Sequence, residues 1–137
     1  MPKYSKKSLE RLNTCHPDLR EIFNRVIKII DCSIIHGYRG EEEQNDAFFK
    51  GDSKLKFPLS THNSNPSMGI DVAPYPIDWS NTNRFRYFAG IVIGVSETLL
   101  HNGLISHKVR WGGDWDMDHN MSDQSFNDLV HFELRKP

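Results

Sequence analysis

An aspartate in the middle of an apolar strand constrains this chain more than any other feature. Asp71 stands within Gly69-Ile70-Asp71-Val72-Ala73, a short run that predicts a strand. A carboxylate flanked by Ile70 and Val72 is destabilising there unless its charge is paired, hydrogen-bonded or coordinated. His131 poses the same problem, because Leu129 to Leu134 alternates and predicts the last strand. An imidazole inside that strand also needs a partner.

The rest of the chain reads as helices first and short strands later. Ser5 to Leu12 is one or two helical turns. His16-Pro17-Asp18 starts a helix, with Pro at its first position and Asp in its first turn. Leu19, Ile22, Phe23, Val26, Ile29 and Ile30 recur at helical spacing and should face the core. Ser33 to His36 is a strand, and Glu41 to Lys50 is a helix ended by Gly51. Asp52 to Met68 and Pro74 to Asn83 are loops. Asn81 or Thr82 caps a long helix to about His101, stopped by Asn102-Gly103. Phe85, Phe88, Ala89, Val92, Ile93, Ser96, Leu99 and Leu100 make its apolar face. Val109 to Trp111 is a strand, and Asp114 to Ser125 is a polar loop. This order suggests an α+β domain with helices packed on one side of an antiparallel sheet.

At 137 residues the chain fits one domain, residues 1–137, with no second domain expected. A formal net charge of -1 argues against nucleic acid, which usually demands a basic face. No run approaches the ~20 apolar residues of a membrane span. Met1 to Lys7 is polar and no apolar stretch follows it, so no signal peptide is visible. Synthesis in the cytoplasm is expected, and a monomer. Cys15 and Cys32 lack zinc-knuckle spacing and read as buried thiols; nothing requires that they pair.

Of the seven histidines, His62 and His131 stand out by their neighbours. His16 reads as a helix cap, His101 as a helix-end cation, and His107 and His119 as solvated. His62 lies in a loop nine residues before Asp71. Zinc accepts carboxylate oxygen beside imidazole nitrogen. From His62 and Asp71 alone, a coordinated and a merely hydrogen-bonded Asp are equally served. His131 adds a third candidate ligand. Two His and one Asp leave a position for water, as in catalytic rather than structural zinc sites. Asp128 lies three residues before His131. In one regular strand the two would point to opposite faces. Asp128 is therefore expected in the turn before the strand, free to act as general base on a metal-activated water.

These motifs carry a resemblance. Ser60-x-His62, Gly69-Ile70-Asp71, Trp111-Gly112-Gly113-Asp114-Trp115 and Asp128-x-x-His131-Phe132-Glu133 resemble the D-Ala-D-Ala metallopeptidase family. The nearest branch is the phage L-alanyl-D-glutamate endopeptidases, and the similarity runs from about Ile34 to Leu134. It implies the hedgehog/DD-peptidase fold, Zn2+ on His62, Asp71 and His131, and Asp128 as general base. It also gives Arg39 a role. Relatives carry an Arg at the matching place, aimed at the reacting carbonyl, where a permanent cation stabilises a developing oxyanion. The other reading of Arg39 is a surface pair with a Glu.

The implied activity is hydrolysis of a peptide bond in the peptidoglycan stem peptide, L-Ala-D-Glu in a phage lysin. Such an enzyme would act on the wall once the host membrane is breached. A D-Ala-D-Ala carboxypeptidase would use the same metal site, since specificity lies in the groove. A non-catalytic zinc domain is disfavoured by the presence of Asp128. Two departures from the family are visible. Its usual His-to-Asp interval is seven residues against nine here, with the excess expected to bulge within Asn63 to Ser67. Gly69 replaces a commoner Ala, which should loosen the strand slightly.

Other residues are weaker candidates. Asp114 could accept the second N–H of a site histidine; Glu133, two after His131 and on the same strand face, is a rival for that task. Trp115 is a candidate groove wall, with Tyr75 and Trp79 behind it, whereas Trp111 reads as core. Ser60 could orient His62 or touch substrate. Asp114, Asp116 and Asp118 have the spacing of a calcium loop. His119 at its sixth position and Ser125 at its twelfth argue against an EF-hand. A looser cation site, or an acidic lip attracting an amine, remains.

Overall fold

A computed structural model of the protein describes residues 2–120, 122 and 128–137. The far end of the Asp114–Ser125 loop, Ser125 included, lies outside them. The chain begins with helix α1, Lys6–Leu12, whose N-terminus is capped by the Ser5 hydroxyl. Helix α2, Pro17–Val26, is capped by the His16 ring, which accepts the Asp18 N–H. Its period buries Leu19, Ile22, Phe23 and Val26. The helix stops at Val26, so Ile29 falls in the following turns and is exposed, contrary to expectation.

Strand β1, Cys32–His36, leads through Gly37 to Arg39 and helix α3, Glu41–Phe49. A single 3-10 turn, Thr61–Asn63, breaks the long loop before strand β2, Gly69–Pro74. Helix α4, Thr82–His101, is capped by Asn81 and ends before Gly103 at a positive φ. Strands β3, Lys108–Gly112, and β4, Asp128–Arg135, close the chain.

The four strands form one antiparallel sheet in the order β1-β2-β4-β3. Alternation along each strand sorts side chains between two faces. Ile34, Ile70, Val72, Val109, Trp111, Phe132 and Leu134 enter the core with the apolar faces of α2 and α4. The Phe132 ring meets Phe23 and Phe88 at centroid distances of 5.7 and 6.2 Å, near the edge-to-face geometry aromatic pairs favour. Burying each such side chain contributes about 1.5–3 kcal/mol. The intervening residues, Asp71, Arg110, His131 and Glu133, face the opposite side and line a cavity of about 490 Å³. The α+β architecture, with the core helices on one side of the sheet, is as expected.

Helix α1 protects the sheet edge. The Ser8 hydroxyl accepts the Ile34 N–H and Arg11 donates to the Ile34 carbonyl, occupying groups that an edge strand leaves open. Cys15 and Cys32 are buried free thiols. No helix among the described residues is long and apolar enough to cross a membrane.

Candidate active site

Two imidazoles and one carboxylate converge on the open face of the sheet. His62 is fixed by the 3-10 turn, because the Ser60 hydroxyl caps it and accepts the His62 N–H. Its ring Nδ1 lies 2.8 Å from the Gly37 carbonyl. A carbonyl only accepts, so Nδ1 carries the proton and Nε2 presents a lone pair. His131 is the mirror case. Its Nε2 lies 2.8 Å from Glu133 Oε1, and Glu133 is held below the usual carboxylate range. Burial opposes that shift, and the hydrogen bonds and charges of His131 and Arg110 together outweigh it. Nε2 of His131 therefore donates, and in the neutral ring its Nδ1 presents the lone pair.

Those two lone pairs meet the carboxylate. His62 Nε2 and His131 Nδ1 lie 3.2 and 3.0 Å from Asp71 Oδ1, and 3.2 Å from each other. All three residues are buried. Three acceptors facing one another repel unless a positive charge sits among them. The electrostatics agree. Burial disfavours ionised Asp71, yet the imidazoles of His62, His131 and His36 hold it well below the usual carboxylate range. Burial likewise disfavours imidazolium at His131, yet Asp71 and Glu133 push it up to about 10. A proton can supply that charge, and so can a metal ion. Zinc ligands at about 2.0–2.1 Å in a tetrahedron stand about 3.3 Å apart, close to the spacings here. The donor set fits zinc in kind and spacing.

Asp128 lines the same cavity, but not as expected. It opens strand β4 rather than sitting in the preceding turn. The ladder is irregular there: Trp111 pairs with Phe132, while Gly112 already pairs with Asp128. The extra residues on β4 break alternation, so Asp128 and His131 share a pocket despite their odd spacing. Gly112 makes this possible, because a Cβ there would meet the Asp128 carbonyl oxygen at 2.0 Å. Burial, then the charge of Asp71, raise the Asp128 carboxyl above its ordinary value.

Arg39 also reaches the site and is buried, not paired on the surface. Its guanidinium donates to Gln44 Oε1 at 3.0 Å and lies 3.4 Å from Asp71 Oδ2. Gln44 is fully buried and anchored to Ser53 and the Leu55 carbonyl, while Asn63 donates to the Arg39 carbonyl. The sequence reading missed Gln44, Asn63 and His36. The signal for Gln44 was an amide directly after the Glu41-Glu42-Glu43 run, the one buried side chain of its helix.

Other candidates sort clearly. Glu133 is the partner of His131, and its second oxygen accepts from Arg110 at 2.7 Å. Arg110 lies over the Trp115 ring at 5.1 Å, and that ring stands 5.8 Å from His131. These contacts close a ring of four residues. Trp115 and Trp79 line the cavity, Tyr75 does not, and Trp111 is core, donating to the Leu129 carbonyl. Asp114, expected beside a site imidazole, is not there. Its side chain turns back to accept the His119 N–H, drawn into the acidic loop, where its carboxylate oxygen lies within 4.8 Å of those of Asp116 and Asp118. His107 is not simply solvated, since it contacts Asp18 at 2.8 Å. Gly69 is more than a slack position. A Cβ there would lie 2.3 Å from Thr61 Oγ1 and 3.2 Å from the His131 ring, so glycine lets the His62 turn lie against β2. The longer His62–Asp71 loop is pinned by Ser64, which donates to the Pro66 carbonyl and accepts the Met68 N–H.

The chain belongs to the phage L-alanyl-D-glutamate peptidase family, which matches residues 1–135. No curated protein sequence matches it significantly. Among solved structures it is similar to the Serratia marcescens L-Ala D-Glu endopeptidase ChiX. The TM-score is 0.74 and identity 22%, covering 97% of this chain and 90% of that one. That likeness is one of fold.

Proposed function

We propose that this protein is a zinc-dependent endopeptidase that cuts the L-Ala-D-Glu bond of the peptidoglycan stem peptide. The observation that carries the reading is the convergence of three candidate ligand atoms, of His62, Asp71 and His131, in a cavity shared with Asp128 and Arg39. Membership of the peptidase family supports the bond. Zinc held by those three residues supplies Lewis acidity and a water of lowered pKa.

The chain's own residues do the rest. Asp128 accepts the proton of the attacking water and returns it to the leaving amine of D-Glu. Its raised carboxyl suits both halves of that transfer. Arg39, aimed by Gln44, donates to the carbonyl oxygen as negative charge develops there. Trp115 forms a wall beside His131, and the Leu59 and Trp79 side chains border the groove. The biological setting that suits this activity is a lysin made inside the host and acting on the wall after membrane breach.

Digestion of purified peptidoglycan, followed by mass spectrometry, tests the reading. Zinc-loaded protein should leave a new L-Ala carboxyl terminus on glycan-linked fragments and a new D-Glu amine on released peptides. A chelator should stop the reaction and zinc should restore it. Release of free D-Ala alone would replace the endopeptidase by a carboxypeptidase. An intact wall after digestion by zinc-loaded protein would overturn the hydrolase.

A further inference from the structure

The two oxygens of Asp71 are not equivalent. Oδ1 faces His62 and His131, while Oδ2 points to a residue outside that group. His36 Nδ1 lies 3.0 Å from Oδ2, closer than the Arg39 guanidinium at 3.4 Å. A carboxylate only accepts, so His36 donates.

A local irregularity puts His36 there. Strand β1 pairs Ile34 with Val72, and a regular antiparallel ladder would then set Ile35 opposite Asp71. Instead the register shifts and His36 stands opposite Asp71. Directly opposed residues project to the same sheet face. The bulge thus turns His36 toward the site, where alternation would otherwise have sent it elsewhere. His36 lines the same cavity and keeps about two fifths of its side chain exposed, so its main contact is with Asp71 rather than with the core.

We infer that His36 is a positioning residue for the metal. It holds Asp71 Oδ2 so that Oδ1 alone is offered between His62 and His131, as a single-oxygen ligand. A carboxylate whose outer oxygen is tied cannot rotate to give both oxygens to the ion, which preserves a four-coordinate site with one open position. The same contact competes with Arg39 for Oδ2, leaving the guanidinium at a longer distance from Asp71 and directed to substrate. This inference rests on the zinc reading proposed above.

The test is the zinc dissociation constant of purified full-length protein, measured by competition with a chromogenic chelator. Two nearly isosteric variants isolate the hydrogen bond. In His36→Asn the amide nitrogen sits the same number of bonds from Cβ as Nδ1 and can donate; in His36→Leu nothing can. The zinc-free variants are first compared with wild type by circular dichroism and thermal melting, where a half-exposed position should show little change. His36→Leu should weaken zinc about tenfold or more, within the range for lost outer partners of ligands. His36→Asn should stay within about threefold of wild type. Equal affinity of His36→Leu and wild type would overturn the inference, and so would His36→Asn binding as poorly as His36→Leu. A His36→Leu that fails to fold leaves the decision to His36→Asn and His36→Ala, which must differ in the same sense. Wild-type protein that takes up no zinc would overturn the zinc reading itself, a distinct result.

Discussion

Among the described residues, two clusters each bring together two histidines and one aspartate, and they do opposite things. In both, the candidate ligand atoms lie within 4.8 Å of one another. In the buried cluster, the outer nitrogens of His62 and His131 give their protons to Gly37 and Glu133, so both lone pairs turn inward. In the half-exposed cluster of His16, Asp18 and His107, one polar atom of each side chain is already used. His16 Nδ1 accepts the Asp18 N–H, and Asp18 Oδ2 takes the Ser106 N–H at 2.9 Å and His107 at 2.8 Å. The second cluster clamps the start of α2 to the segment before β3. What separates the proposed ligand set from a clamp is therefore where the outer hydrogen bonds go, not which residues are present.

The comparison can be broken at either end. The largest effect is expected at Asp128. Its replacement by Ala should lower kcat about a hundred- to ten-thousand-fold while one zinc per chain remains bound. Turnover near wild type in that variant would remove Asp128 from the mechanism. Next come the clusters themselves. Metal analysis should find one zinc per chain in wild type and in His107→Ala, and none in His131→Ala. At a hundredfold excess over the dissociation constant, zinc should stabilise the first two by about 2.7 kcal/mol in thermal melts. A second zinc that disappears with His107 would erase the distinction.

Gly69→Ala probes the buried cluster from its rim. Crowding against Thr61 and the His131 ring should destabilise the fold by about 1–3 kcal/mol in urea titration and weaken zinc. An unchanged midpoint would restore Gly69 to a slack position.

The smallest effect belongs to the clamp. Burial resists ionisation of Asp18, but the hydrogen bonds from His107 and Ser106 prevail and lower its carboxyl below the ordinary 3.8. A group lowered on folding lends stability that is complete above its unfolded value and lost as the pH falls through the folded one. Asp18→Asn should therefore flatten the stability profile below about pH 4 and leave zinc binding alone. At neutral pH it should lower stability by about 1 kcal/mol.

Local periodicity made much of this legible in advance. The spacing of Leu19, Ile22, Phe23 and Val26, the caps at His16 and Asn81, and the alternation around Asp71 and His131 all report short-range physics. Glu133 was found because residues two apart share a strand face. What stayed hidden depends on register between distant strands. His36 reaches Asp71 only because β1 bulges, and Asp128 joins His131 only because the β3–β4 ladder slips. The ordinary alternation rule, applied to either, gives the wrong face. Gly69 and His107 were misjudged for a related reason, since Thr61 and Asp18 meet them only in the folded chain.

The closed circuit of His131, Glu133, Arg110 and Trp115 has a consequence for how this site can change over evolutionary time. Each member touches two others, so its orientation is fixed from both directions around the loop. A drift at one position is opposed by two neighbours rather than one. Viable replacements should therefore arise as matched sets, and a lone exchange of Arg110 should be tolerated best where a second exchange at Trp115 or Glu133 accompanies it.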